Sequence, residues 1–356
     1  WNGDVRVKPA VRDQLLNDPF RVVNVAGNPV LRYNSDYLRD DDIERIATRQ
    51  NAGSDTYLLS GKIDITTTPT INLTVGGSMD INNYQNYNRT NALLNAENNT
   101  EYKNSTWRTF VRFTQRFNSR EETAEDHDKG GIKNAYYSIQ LDYSRYNQNT
   151  QSEDHGDNLF DYGYLGKYQQ NIVRSYDPLT GKQNGNMVDG VQFTPSNVNP
   201  DATAFAQDYF NSFTPGSSFY QDFSNIQQSG GLLNGDLPAS VYGLWNNVGV
   251  LSNQYSKYQS DQIRVSASGS ADIGKHAVSV GVEYEQLTQR YYSLAPVGLW
   301  TDARLLANKH IQGLDFNDST VVAGPDGVIR TDYDRLVGPD QSAFDYNLRT
   351  ALGLDP

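Results

Sequence analysis

The sequence predicts an all-β chain, part of an antiparallel transmembrane β-barrel with long extracellular loops, and three observations carry that expectation. Six segments alternate apolar and polar residues over about ten or more positions, where a soluble strand usually has ~5 to 6. The connections between them alternate between short and long. Tyrosine and tryptophan gather where the segments meet the long connections.

The first segment, Tyr57 to Thr67, sets Leu59, Ile63 and Ile65 against Lys62 and Asp64. Thr67-Thr68-Pro69-Thr70 forms a tight turn into Thr70 to Asn82, where Ile71, Leu73, Val75, Met79 and Ile81 oppose Asn72, Thr74 and Asp80. From Thr106 to Phe117, Trp107, Val111, Phe113 and Phe117 oppose Arg108, Arg112 and Arg116. Ala135 to Asn147 sets Tyr137, Ile139, Leu141 and Tyr143 against Ser138, Gln140 and Asp142. Gln262 to Ile273 carries Ile263, Val265, Ala267, Ala271 and Ile273 against Arg264 and a run of serines. After Gly274-Lys275, His276 to Gln289 opposes Val278, Val280, Val282 and Tyr284 to Ser279, Glu283 and Glu285. Strands of this length cross a bilayer when tilted, which puts Ile63, Val75, Val111, Ile139, Val265 and Val280 toward lipid.

Connections are short at Thr68 and Gly274, and long over 83–105, over 148–259 and after Tyr292. This asymmetry is that of outer-membrane barrels, with short turns on one side and long loops on the other. The connection over 119–134, rich in Glu121, Glu122, Glu125, Asp126 and Asp128, is a polar excursion on the short side. The expected organisation is an extracellular loop over 1–56, four barrel strands over 57–147, a long extracellular loop over 148–259, a barrel hairpin over 260–292 and a further loop over 293–356. The pairs Tyr84 and Tyr87, Tyr102 and Trp107, Tyr143 and Tyr146, Tyr255 and Tyr258, and Tyr291 and Tyr292 read as an interfacial girdle. The opening Trp1-Asn2-Gly3 and the closing Leu352 to Pro356 both look like cuts through a longer polypeptide.

Composition narrows the function. With 37% hydrophobic residues and apolar runs of only a few positions, no transmembrane helix is expected. A net charge of −12 with scattered basic residues argues against a nucleic-acid partner. The absence of cysteine suits passage through an oxidising compartment. The histidines, at 127, 155, 276 and 310, have no metal spacing, and no nucleophile motif, phosphate loop or dinucleotide fingerprint occurs, so no catalytic, cofactor or metal role is expected. Gly76-Gly77 is expected to ease strand curvature and Gly130-Gly131 a turn. The acids of Asn317 to Tyr333 (Asp318, Asp326, Asp332), with Asp334 beside them, depart from the twelve-residue calcium loop and read as solvated carboxylates.

Two groups of residues stand out as candidate sites. Lys62, Asp64, Arg108, Arg112, Arg116, Asp142 and Glu283 fall on the polar side and would line a lumen, the arginines paired with Asp64, Asp80, Asp142 or Glu283. Structural ion pairing is favoured over a substrate role. In the long loop, Tyr162, Tyr164, Tyr168, Phe219, Tyr220 and Trp245 suit capture of a carbohydrate or peptide; a cap that simply packs on itself is an equal alternative.

The stretch YLLSGKIDITTTPTINLTVGGSMDINNYQNYN, from Tyr57 to Asn88, resembles a barrel hairpin of the large TonB-dependent receptors of Bacteroidota, the Oar-like and SusC-like proteins. TWRTFVRFTQRFN, from Thr106, and SASGSADIGKHAVSVGVEYEQ, from Ser266, are similar to segments of the same receptors. The resemblance implies a wide barrel in a Gram-negative outer membrane, an internal plug, and energy from TonB through a part of the protein not covered by these residues. It implies import of a large ligand (a glycan, peptide or chelate), outer-membrane lipid around the barrel, and a surface lipoprotein or another outer-membrane protein as partner. The alternative functions are a non-transporting barrel subunit of an assembly or secretion complex, its loops binding partner proteins, and a soluble secreted β-protein.

Overall fold

The computed structural model describes residues 4–117, 132–176, 179, 183–212, 222–307, 313–323 and 329–355. The chain opens with β1 (Asp4–Val7), α1 (Pro9–Asn17), the hairpin β2 (Phe20–Val25) and β3 (Asn28–Tyr33), and β4 (Ile43–Ile46) paired back on β1. Four long strands follow: β5 (Ser54–Thr68), β6 (Ile71–Gln85), β7 (Glu101–Arg116) and β8 (Ile132–Gln151). Next come the hairpin β9 (Gly166–Tyr176) and β10 (Gln183–Pro195) and the helices α2 (Pro200–Asn211) and α3 (Phe223–Gln228). Two more long strands, β11 (Tyr255–Ile273) and β12 (His276–Leu294), precede α4 (Leu299–Ala307), the hairpin β13 (Leu314–Ala323) and β14 (Ile329–Arg335), and α5 (Ala343–Ala351).

All six alternating segments of the sequence are strands, and they join in one antiparallel sheet of order β5-β6-β7-β8-β11-β12. The chain is therefore largely β. Strands β5 and β12 are the edges and do not pair with one another, so the described residues form an open sheet and not a closed barrel. The strands outrun their apolar alternation: β8 and β11 stay paired up to Thr150 and Ser256, through Asn147, Gln148, Asn149, Lys257 and Gln259. The backbone ladder continues there because a polar pair opposes pairing no more than an apolar one does.

Register aligns like with like across the sheet. One row reads Ile63, Val75, Val111, Leu141, Val265, Tyr284, and the next on that face Ile65, Leu73, Phe113, Ile139, Ala267, Val282. Among the described residues no helix or second sheet forms a layer over this apolar face, and the strands pack edge to edge on one another. Ile63 is 66% exposed and Val282 70%.

The hydrophobic core lies elsewhere, beyond the end of the sheet that carries the long connections. There Phe20, Leu93, Leu94, Leu165, Phe205, Tyr209, Ile226, Leu233 and Val248 are buried together, drawn from β2, α2, α3 and the connections 86–100 and 152–254. The segments expected as loops thus build a folded cap. Pro200 starts α2 at a position that needs no backbone donor, and the Asp222 carboxylate accepts from the Asn225 amide at 2.7 Å to start α3. The segment over 313–335 is a hairpin where a loop was expected; Asp326 lies outside the described residues.

A second cluster, Tyr162, Tyr255 and Val297, joins the cap to the strand ends. Beside it Asp157 accepts from the Tyr255 hydroxyl at 2.7 Å and from Lys257 at 2.9 Å, and these bonds hold its carboxyl below the ordinary value of 3.8. A depressed carboxylate stabilises the fold above its unfolded value and loses that contribution as pH falls through its folded value. Amide exchange around Asp157 and Tyr255 is therefore expected to speed up as pH is lowered below about 4, after correction for intrinsic exchange, and Asp157→Asn should abolish that dependence.

Candidate functional site

The face opposite the apolar rows carries all seven polar candidates, because alternation and antiparallel register put Lys62, Asp64, Arg108, Arg112, Arg116, Asp142 and Glu283 on one side. Thr74 Oγ1 donates to Asp64 at 2.6 Å, and Lys62 lies 3.1 Å from the same carboxylate. Arg112 Nε donates to Gln140 at 2.6 Å, and Gln140 donates to Asp142 at 2.6 Å. The pairing differs from the expectation. Arg264 takes Asp142 at 3.3 Å and reaches Glu283 at 3.9 Å, while Arg112 bonds a neutral amide. The reason is register: Arg264 lies directly opposite Asp142, and Arg112 opposite Gln140. Alternation alone puts Arg264 on the polar side, but its partner depends on the long-range pairing of β11 with β8.

Of these side chains Lys62, Arg108, Asp142 and Arg264 line an open groove of 680 Å³, together with Ser78 and Gln262. With both signs of charge and several hydroxyl and amide groups, it suits a polar, hydrogen-bonding surface more than an apolar ligand. The Phe110 ring lies over Gly76 on this face, with Arg112 5.9 Å from the ring centre.

Toward the cap the same face becomes aromatic. Tyr84 stacks on Tyr102 at 5.0 Å, and Tyr146 packs against Tyr258 at 5.8 Å. Tyr291 pairs with Tyr258 in the ladder. Tyr146 donates to Asn104 at 3.3 Å, and Gln289 donates to Tyr258 at 2.7 Å. This corrects the expected girdle. Tyr84, Tyr102, Tyr146, Tyr258 and Tyr291 stand on the polar face, whereas Tyr57, Trp107, Tyr143, Tyr284 and Tyr292 stand on the apolar one. Neighbouring tyrosines in sequence alternate sides of a strand, so nearness to a strand end could not assign a side.

The loop aromatics divide too. Tyr162 is fully buried, donating to the Gly156 carbonyl at 2.8 Å and accepting from the Ser152 amide at 2.9 Å. Tyr168 gives its hydroxyl to the Leu232 carbonyl at 2.7 Å, and burial pushes its pKa up. Trp245 packs against the cap core. The geometry of these three is that of core residues. Tyr164 stacks on Trp300 at 5.3 Å beside a pocket of 360 Å³ that Arg304 also lines. Phe219 and Tyr220 lie outside the described residues. Trp300 and Arg304 went unnoticed in the sequence because α4 reaches Tyr164 only through the tertiary fold.

Of the histidines, His155 is buried against Asn199 Oδ1 at 2.7 Å, His276 starts β12, and His127 and His310 lie outside the described residues. Among the described residues no group of three or more His, Cys, Asp or Glu could hold a metal, and no helix is long and apolar enough to cross a membrane.

The two glycines of β6 differ in what surrounds them. A Cβ on Gly76 would lie 2.7 Å from the Phe110 ring, which can swing away; one on Gly77 would lie 2.6 Å from the backbone oxygen of Arg108. Gly77→Ala is thus expected to cost more than Gly76→Ala, by about 1 kcal/mol or more, read as the difference in unfolding midpoints. Equal costs would mean that the strand spacing relaxes freely at Gly77. No family model and no curated protein matches this chain.

Proposed function

We propose that the six-stranded sheet is a sector of an outer-membrane β-barrel, apolar face to lipid and polar face to the lumen, in a TonB-dependent receptor. That receptor imports a large ligand first met at the extracellular cap. One observation carries the membrane reading: among the described residues the apolar face has no protein layer over it, and its upper edge climbs obliquely across the strands.

The edge can be followed by register. Tyr57 is the last apolar outward residue on β5 before Asp55, and its row continues through Ile81, Ser105, Asn147 and Gln259 to Arg290. On β12 the unbroken apolar run of the outward face, Val278 to Tyr284, ends six positions before Arg290, with Gln286 and Thr288 between; Tyr292 and Leu294 beyond it pack with Tyr255 at the junction with the cap. Six residues along a strand are about 20 Å, and five strand spacings are about 24 Å, so the edge is inclined by about 40° to the strand normal. A lipid boundary is flat, so strands meeting it at this slant are tilted by about 40°, within the range of transmembrane barrels.

The arginine, lysine and carboxylate groups of the other face fit a water-filled lumen, and the tyrosine cluster stands at its mouth beneath the cap. Rings next to Asn104 and Gln289 give a stacking surface with hydrogen-bonding edges, suited to a polar ligand of extended shape. The TonB coupling rests on the resemblance of Tyr57 to Asn88, Thr106 to Asn118 and Ser266 to Gln286 to those receptors.

The test is one of side. Val111→Lys is expected to lower stability in lipid by about 2 to 4 kcal/mol and to reduce recovery in the membrane fraction; Thr114→Lys, on the opposite face, should change either by under about 1 kcal/mol. If the unaltered protein stays monomeric in aqueous buffer without detergent, or if both lysines are tolerated alike, the membrane reading is wrong.

A further inference from the structure

The cap carries a recess of its own, set apart from the sheet. A pocket of 360 Å³ opens between β9, α3 and α4, walled by Tyr164, Tyr168, Phe223, Leu233 and Trp300. All but Leu233 are aromatic, and the volume is near the small end for a ligand site, enough for one ring system. Lys167 and Arg304 also line the pocket, and no carboxylate does. The walls are fixed in place. Trp300 Nε1 donates to the Phe160 carbonyl at 2.6 Å, and its ring stacks on Tyr164 with an interplanar angle of 27°. A Cβ on Gly163 would lie 2.9 Å from the Val297 carbonyl oxygen, so the approach to α4 packs as closely as a bare backbone allows.

Arg304 is held without being neutralised. It donates to the Asn234 carbonyl and, at 3.3 Å, to Thr301 Oγ1. Asn234 is itself tied to the start of β9: its side-chain oxygen accepts from the Leu165 amide at 2.8 Å and the Gly166 amide at 3.2 Å, and its side-chain nitrogen donates to the Gly166 carbonyl at 2.8 Å. A carbonyl and a hydroxyl leave the charge of the half-buried guanidinium uncompensated, with donors to spare. Among the described residues neither Arg304 nor Lys167 has an ion pair. Asp236 is the acid that follows Asn234 in the chain, and it accepts instead from the Leu233 amide at 2.9 Å and from Gln227 at 2.8 Å. Asp302 shares α4 with Arg304, but residues two apart on a helix do not face each other.

We propose that this pocket binds an aromatic carboxylate, its ring against Trp300, Tyr164 and Phe223 and its carboxylate on Arg304. Aromatic walls favour a ring that can stack on them or meet them edge-on. A guanidinium fork matches a planar carboxylate with two parallel hydrogen bonds, which are stronger for being charge-assisted. An inorganic anion would leave the ring walls unused, and a neutral ring would leave Arg304 unpaired. The exposed Lys167 adds positive charge at the rim. The pocket belongs to the cap alone, so the proposal stands or falls apart from the membrane reading.

The full chain is labelled with fluorotryptophan, and the Trp300 signal in fluorine NMR is identified by its loss in Trp300→Phe. Titration with naphthoate is expected to shift that signal to saturation, and naphthamide, which has the same shape without the charge, to bind about tenfold more weakly. Arg304→Gln should remove the preference while keeping the affinity for naphthamide, and Asp302→Asn should leave both ligands as they were. Should Arg304→Gln lose both ligands, Arg304→Lys decides: it keeps the charge and must still prefer naphthoate, and a failure to do so overturns the site. No saturating shift, equal affinity for the two ligands in the unaltered chain, or a preference that survives in Arg304→Gln overturns it as well.

Discussion

Everything in this structure turns on an apolar sheet face that the described residues do not cover. The six strands align Ile63, Val75, Val111, Leu141 and Val265 in one row across five of them, yet the buried core of the chain is gathered in the cap. In water such a face costs free energy in proportion to its area. Soluble proteins avoid exposing an apolar patch of this size unless something binds it. Apolar surroundings would remove that cost, which is how the uncovered face connects to the membrane proposal and the slanted edge.

The cap and the sheet follow different physics. The sheet is held by backbone pairing, and its faces sort by alternation alone; its side chains need to suit two surroundings, not to interlock. The cap is a conventional core, where Phe20 meets Phe205 edge-on at 5.8 Å and Gly231 lies so close to Ile226 and Tyr209 that a Cβ would collide with both. Buried asparagines bind its connections together: Asn95 donates to the Val250 carbonyl at 2.7 Å and Asn99 to the Asn51 carbonyl at 2.8 Å. Such amides satisfy backbone groups that irregular segments leave unpaired, which is how long connections of low helix and strand content remain ordered.

The candidate residues show how far pattern reaches. Lys62, Asp64, Arg108, Arg112, Arg116, Asp142 and Glu283 share a face because a period of two needs no knowledge of neighbours, and the sequence placed them together. Their partners were not legible. Arg264 takes Asp142 because β11 pairs with β8 across a connection of about a hundred residues, at a register that no local signal encodes. Aromatic residues were the least legible: Tyr102 and Tyr258, expected in a girdle, face the polar side, and for Tyr162 and Trp245, where ligand capture and a self-packed cap stood as equal alternatives, the side chains pack in the cap.

The amino-acid sequence alone determined the six strands, their two faces and the tight turns at Pro69 and Gly274, since alternation and turn chemistry act within a few residues. Tertiary structure decided which strands are neighbours, and so the arginine pairs, the tyrosine cluster beneath the cap and the slant of the apolar edge. It also decided that the long connections fold into a core of their own. Those properties depend on contacts between residues far apart in the chain, where the loss of chain entropy on closing the loop is offset only by what the whole assembly buries.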